Sequence, residues 1–345
     1  MKTRKAIILA FLAAIFYAVN VPLSKLLLQS VEPTMMAALL YLGAGLGIGI
    51  LSFFRRNHQK QSEKLSQKDL PFVLGMIVLD MAAPIFLMFG ITYSSSASAS
   101  LLGNFEIAAT TVIALFVFQE TVSKRLWTAI GLISLSSMLL SLDGAESLTF
   151  SYGSLFVLAA AVCWGFENNC TRNISSKNTY EIVTLKGIFS GLGSFVIALV
   201  RREQIPSPGC FTAALLLGFF AYGLSIFLYI RAQNTLGAAK TSAYYAAAPF
   251  IGAFFSFVLL QEQLSEMYFA ALVIMAAGTA LVITDTIIRS HAHQHQHTFT
   301  HTHDGVPHAH TIVHIHEHNH YVSKDSHGHR HAKAELEQES GAIHN

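Results

Sequence analysis

The sequence predicts an all-α polytopic membrane protein: ten transmembrane helices in two inverted five-helix repeats, followed by a disordered His-rich tail. Three observations predict it. The chain contains ten long apolar runs, its Lys and Arg residues fall on alternate connections between those runs, and its two halves correspond in sequence.

The 345 residues are 52% hydrophobic and 12% charged, about half the charged share of a soluble domain. The apolar runs lie at about 5–28, 33–54, 70–92, 97–118, 126–142, 151–171, 180–200, 211–233, 240–260 and 266–288. About 20 apolar residues cross the hydrocarbon core as a helix. Within lipid the backbone groups must bond inside their own segment, so each run is predicted helical. A barrel would need alternating rather than solidly apolar strands. The first run follows Lys2, Arg4 and Lys5, as a signal peptide would. It is longer than a signal core and recurs in the second half, so it reads as a retained helix.

Net charge is +2, too small to imply a nucleic-acid partner; the lipid bilayer and a small-molecule solute are the partners implied. The oligomeric state is left open. Cys163 and Cys170 lie about 10 Å apart along one predicted helix, too far to form a disulfide. With Cys210 they read as small packing residues.

Orientation follows from the basic residues. With a cytoplasmic N-terminus, the inner connections hold Lys2, Arg4, Lys5, Arg55, Arg56, Lys60, Lys64, Lys68, Lys124, Arg125, Arg172, Lys177, Arg231 and Lys240. The outer ones hold Arg201 and Arg202 alone. Positive charge marks the inner side, so both termini are predicted cytoplasmic, in a multi-pass protein of the cytoplasmic (inner) membrane.

The halves correspond at several places. Ala13-Ala14-Ile15-Phe16-Tyr17-Ala18 matches Ala160-Ala161-Val162-Cys163-Trp164-Gly165. Phe118-Gln119-Glu120-Thr121-Val122-Ser123 matches Leu260-Gln261-Glu262-Gln263-Leu264-Ser265. Ser96-Ala97-Ser98-Ala99-Ser100 matches Ala238-Ala239-Lys240-Thr241-Ser242. Five helices per half, an odd number, turn the second half upside down in the membrane. Many secondary transporters are built from such inverted repeats. The predicted divisions are 1–148, 149–289 and the tail, 290–345.

These motifs resemble the EamA family of the drug/metabolite transporter superfamily. The second half is the clearer match: Gly237-Ala238-Ala239-Lys240-Thr241-Ser242 leads to Pro249, then to Gln261-Glu262 and a last helix containing Gly278. Ile107 stands where the second half has Pro249, a departure from the usual pattern. The resemblance covers about residues 5–288. It implies transport across the cytoplasmic membrane, often export, and leaves the cargo unspecified.

Ionisable residues inside spans mark candidate sites. Glu106 in the fourth span and Asp80 in the third are candidates for proton coupling, with a structural hydrogen bond as the alternative. Pro84 follows Asp80 and can free backbone groups beside it. In the sixth span Trp164, Glu167, Asn168 and Thr171 share one helix face; in the first, Tyr17, Asn20, Val21 and Ser24 repeat the arrangement. Tyr17, Asn20, Trp164, Glu167 and Asn168 are the candidate substrate-binding residues, lining a cavity at the repeat interface. Ordinary interhelical hydrogen bonding is the alternative. Lys186 and Arg231 are expected to snorkel from helix ends; Tyr222, Tyr244 and Tyr245 are cavity candidates for which packing is the expected role. The two Gln-Glu corners are expected to cap or close loops. Neither a Walker-type phosphate loop nor HExxH occurs, and no nucleophile–base pair stands out. An enzyme is not expected.

Sixteen of the 17 histidines follow residue 290. The candidate metal ligands are His291, His293, His295, His297, His314, His316, His318, His320, His327, His329 and His331. Alternate residues of an extended chain share a face, and neutral imidazole suits zinc, nickel or copper. The spans need no cofactor. Three functions stay open: a secondary transporter of a small metabolite or drug-like solute, working by alternating access with proton coupling; a divalent-metal transporter whose tail collects cargo; and a membrane metal sensor or regulator without transport.

Overall fold

A computed structural model describes residues 2–54, 65–118, 123–142, 151–174, 177–236, 241, 244–303 and 306–319. The chain divides into two units, Met1–Thr284 and Asp285–Asn345.

The first unit is helical. Its helices are α1 (Lys2–Ala18), α2 (Asn20–Leu27), α3 (Pro33–Phe54), α4 (Leu70–Tyr93), α5 (Ser96–Leu102), α6 (Phe105–Phe118) and α7 (Lys124–Ser141), then α8 (Tyr152–Asn173), α9 (Thr179–Val200), α10 (Pro208–Gly218), α11 (Ser225–Leu236), α12 (Ala248–Leu260) and α13 (Glu266–Arg289). A π-helical turn, Phe219–Leu224, joins α10 to α11. A helix stands on each of the ten predicted runs.

Seven helical stretches among the described residues are long and apolar enough to cross a membrane: Arg4–Leu27, Pro33–Phe54, Gln67–Tyr93, Ser96–Val117, Thr179–Val200, Pro208–Tyr229 and Glu266–Asp285. Ala248–Leu260 is apolar but shorter. The helices outside this set are α7 and α8; α8 carries the polar cluster Glu167, Asn168, Asn169 and Thr171.

Several runs are broken near their middle, for local reasons. Pro22 has no N–H to bond the Ala18 carbonyl, and the helix interrupts at Val19. Gly103 and Asn104 form a turn between α5 and α6, closed by the Glu106 N–H to Gly103 O and the Ile107 N–H to Asn104 O, both 3.1 Å. In the second half Ala246 and Ala247 form a turn, and Pro249 falls in the first turn of α12, where its missing N–H costs nothing. Ile107, the counterpart of Pro249, follows a break made by Gly103-Asn104 instead.

Packing matches a lipid-facing exterior. Ile50, Phe53, Val78, Val196 and Val273 are large, apolar and exposed, whereas the core is rich in Ala and Ser. Small residues let backbones approach. A Cβ on Gly187 of α9 would lie 2.5 Å from the Cα of Gly45 of α3. Buried hydroxyls link helices through backbone carbonyls: Ser225 Oγ donates to Ala13 O at 2.8 Å and Ser190 Oγ to Ile77 O at 3.0 Å.

The Arg201–Arg202 loop, the exception to the charge rule, has a structural role. Arg202 takes φ 63°. The Arg202 N–H bonds Leu199 O at 2.9 Å and the Glu203 N–H bonds Ala198 O at 3.0 Å, a Schellman closure of α9. Glu203 then accepts from the Met35 N–H at 2.7 Å, capping α3, and pairs with Arg201 Nε at 3.2 Å. Arg201 also lies over the Phe89 ring, 5.2 Å from its centroid. One of the two positive charges of this loop is thus locally matched.

The second Gln-Glu corner is a cap. Glu262 accepts from the backbone N–H of Ser96 at 2.7 Å and of Ala97 at 2.9 Å, and Ser95 Oγ accepts from the Ser98 N–H at 3.1 Å. Two of the orphan donors at the start of α5 are therefore met by a residue of the other half, and a third by Ser95. Glu262→Gln keeps one acceptor oxygen and loses the charge. It is expected to lower stability by about 1 kcal/mol, read as a lower unfolding midpoint in detergent, with Glu262→Ala losing more. The Gln119-Glu120 corner lies outside the described residues.

In the second unit the absence of regular structure expected of the tail is corrected for part of it. β1 (Ser290–His303) and β2 (Val306–Asn319) form an antiparallel pair, with Ser290 opposite Asn319 and His303 opposite Val306. The reason is visible in the intervening residues. Thr298, Thr300, Thr302, Thr311, Ile312, Val313 and Ile315 favour extended backbone. His320, His327, His329 and His331 lie outside the described residues.

Candidate functional site

Asp80 sits mid-way along α4, before Pro84, and is fully buried. Tyr41 of α3 donates its hydroxyl to Asp80 Oδ1 at 2.8 Å. Lys186 of α9 brings its ammonium to 2.9 Å from Asp80 Oδ2 and 3.1 Å from Glu167 Oε1 of α8. The side chains of Asp80, Glu167 and Lys186 are 0, 4 and 15% exposed. The expectation that Lys186 snorkels is thus corrected. Its amine turns inward because two carboxylates offer it more than a distant interface does.

The predicted face of α8 divides its partners. Trp164 Nε1 donates to Tyr41 OH at 3.4 Å, extending the chain that ends on Asp80. Thr171 Oγ1 donates to Glu167 Oε1. Asn168 Nδ2 turns to α6, donating to Glu106 Oε1 at 2.7 Å and to Thr110 Oγ1 at 3.3 Å. Asn169 Nδ2 donates to Gly165 O at 2.8 Å and Thr110 O at 3.2 Å. Glu106 is thus held by a neutral amide, and no cation lies within ion-pair distance of it among the described residues.

Tyr17 and Asn20 enter through an aromatic cluster. Asn20 Nδ2 donates to Tyr222 OH at 3.0 Å, and Asn20 Oδ1 accepts from Ser24 Oγ at 3.1 Å. Tyr222 lies in the π-helical turn, a distortion common at functional sites. Its ring is 5.2 Å from Tyr41 and 5.9 Å from Tyr17, and Tyr17 is 5.7 Å from Tyr245. All seven predicted site residues of the membrane part therefore fall in one connected region. It is built by helices from both halves of the sequence.

Tyr41, Lys186, Thr110 and Tyr222 complete this region; Tyr222 was a secondary cavity candidate in the sequence, and the other three were not selected as site residues. Lys186 had a signal, a charge two turns inside α9. Tyr41 had none, standing in an ordinary apolar run. Lys25 was also missed. Its ammonium donates to the carbonyls of Ile91 at 2.5 Å and Ser94 at 2.9 Å, capping the C-terminus of α4, where positive charge is favoured.

Three carboxylates and one ammonium make the region net acidic when all are ionised. Lys186 occupies the space between Asp80 and Glu167 that a metal ion would need. Among the described residues of the helical unit no group of three His, Cys, Asp or Glu side chains could hold a metal. What the arrangement can do is bind a polar or cationic group against aromatic faces and exchange a proton at Glu106.

Comparison with known proteins identifies the family. A family model, the EamA-like transporter family, matches twice, over residues 4–142 and 151–284. The chain is 25% identical over 292 residues to an uncharacterized transporter of Methanothermobacter thermautotrophicus, covering 78% of this chain and 83% of that one. It is 27% identical to the uncharacterized transporter YcxC of Bacillus subtilis, covering 78% and 91%. One crystal structure of a protein shares the fold at TM-score 0.60 and 18% identity, over 80% of this chain and 94% of that one. The apolar helices are those of a multi-pass membrane protein, and the two matches together span most of its length: the chain belongs to the EamA-like transporter family.

Proposed function

We propose that the protein is a secondary transporter of a small metabolite or drug-like solute in the cytoplasmic membrane, exporting it by alternating access with proton coupling. The single observation that carries this reading is the buried carboxylate network. It lies mid-span, where α3, α4 and α6 of the first half meet α8 and α9 of the second. The twofold family match supports two repeats, 1–148 and 149–289, and the placement of Lys and Arg supports their inversion, as five helices each, with both termini cytoplasmic. Repeat interfaces are where such transporters bind solute.

Glu106, Asn168, Tyr17 and Tyr245 are partly exposed although they stand within apolar helices. Polar groups so placed face a solute path rather than lipid. Tyr17, Asn20, Trp164, Glu167 and Asn168 form the substrate side of this proposal, and Asp80 and Glu106 the proton side. Rocking of one half against the other would separate Glu106 from Asn168 and open the carboxyl to a different side.

Comparing the metabolites of deletion and overexpression cells identifies the solute, and proteoliposomes then measure its flux. A pH gradient is expected to accelerate flux in the native protein. That acceleration should vanish in Glu106→Gln, whose amide oxygen still accepts from Asn168, and in Asp80→Asn. Gradient-dependent rates unchanged in both variants would remove proton coupling from the proposal. A metal cargo is the weaker reading because Lys186 already fills the gap between carboxylates.

A further inference from the structure

The register of the tail hairpin carries an inference that does not depend on the transport reading. Three successive rungs pair histidine with histidine: His291 with His318, His293 with His316, and His295 with His314. Directly opposite residues of an antiparallel pair share a face. Every histidine of β1 has an odd number and every histidine of β2 an even one, and the register pairs odd with even throughout. All the histidines of both strands therefore belong to one face, and the other face has none.

The sequence encodes this switch of parity. Asp304-Gly305 stands between the two strands in the sequence, and Asp-Gly is a dipeptide favoured in two-residue hairpin connections. A two-residue connection makes odd positions pair with even ones. The histidine pattern changes parity across that dipeptide, as a common face requires. A chain selected only for local His-x-His chelation would have no need of the change.

We propose that this face is a transition-metal site of the zinc, nickel or copper class, built across the strands. Two adjacent rungs supply four imidazoles. Opposite Cβ atoms are about 4.5–5.5 Å apart, and successive same-face residues of a strand about 6.6 Å. That frame suits four ligands around one tetrahedral ion with bonds of about 2.0–2.1 Å. Imidazole without thiolate or carboxylate favours zinc, nickel and copper over calcium and magnesium. The ion would join the two strands, so binding stabilises the hairpin.

The test separates cross-strand from local chelation in the full chain, purified in detergent, with Zn(II), Ni(II) and Cu(II) each titrated by calorimetry against a competing chelator. One variant moves three histidines of β1 by one position: His291→Ala, Ala292→His, His293→Gln, Gln294→His, His295→Gln and Gln296→His. It keeps every histidine and the two His-x-His steps among these three, gives up the step from position 295 to His297, and moves the three to the opposite face. Its affinity is expected to fall by about tenfold or more, at least the loss seen when metal-site support is removed. A second variant adds the matching exchange of Val313 with His314, Ile315 with His316 and Glu317 with His318. It restores three His–His rungs on one face, and affinity should return. Equal affinity in all three proteins, or no recovery in the second variant, overturns the cross-strand site.

Discussion

Lys186→Met is expected to destabilise the protein more than any other single change in the carboxylate network. The Lys186 ammonium stands between Asp80 and Glu167, at 2.9 and 3.1 Å. Its removal leaves two buried carboxylates without a cation, although Tyr41 and Thr171 still donate to them. Breaking a buried pair in this way costs about 3–5 kcal/mol. The measurement is the unfolding midpoint in mixed micelles. Asp80→Asn and Glu167→Gln added to Lys186→Met should recover much of the loss, because the stranded charges go with the amine. Were Lys186→Met as stable as the native protein, the ammonium would not sit where the structure puts it. Lys186→Arg is a sharper probe of geometry, since a planar guanidinium is not a substitute for a compact ammonium.

Gly218→Ala and Gly43→Ala are expected to produce the second-largest loss. The two glycines face each other's helices reciprocally. A Cβ on Gly218 of α10 would lie 2.0 Å from Leu40 O of α3, and one on Gly43 of α3 would lie 2.0 Å from Leu215 O of α10. The opposing atoms are backbone, so no rotamer change relieves the clash; the helices must separate. Overpacking costs about 1–3 kcal/mol and occasionally more. Here it would also shift the π-helical turn that follows α10 and carries Tyr222. Two results are expected: a lower unfolding midpoint for each variant, and less than additive loss in the double variant, since one displacement relieves both clashes. Full additivity would mean that the glycines do not share one crossing. Gly131→Ala serves as a control, with nothing within 4 Å of its added Cβ.

Both predictions rest on features of different legibility. Glycines in apolar runs are visible in the sequence, but which of them meets a carbonyl is not. Asp80, Glu106 and Glu167 stood out because ionisable residues are costly in a membrane. Lys186 was visible as well, but its reach allows either an interface or a partner, and helix packing alone decides between them. Tyr41 was hidden and Tyr222 ambiguous, because a tyrosine in an apolar run looks the same whether it packs or donates. The Gln261-Glu262 corner was recognisable as a motif. Its partner, the start of α5, lies far away in sequence and became known only when the halves were brought together.

The sequence by itself determined that the chain is a helical membrane protein, because the lipid solvent leaves an apolar segment few choices for its backbone. It also set the helix breaks, through Pro22, Gly103-Asn104 and Pro249, which act over one turn. Charge placement predicted an orientation by the same short-range logic. Tertiary structure decided which polar side chains meet, since hydrogen bonds and ion pairs need ångström placement that depends on every crossing between helices. It decided that Lys186 turns inward, that Glu262 caps the other half, and that Glu106 rests on an amide rather than a cation. In the tail, the choice of histidine was plain in the sequence, whereas the strand register decided that the histidines share a face.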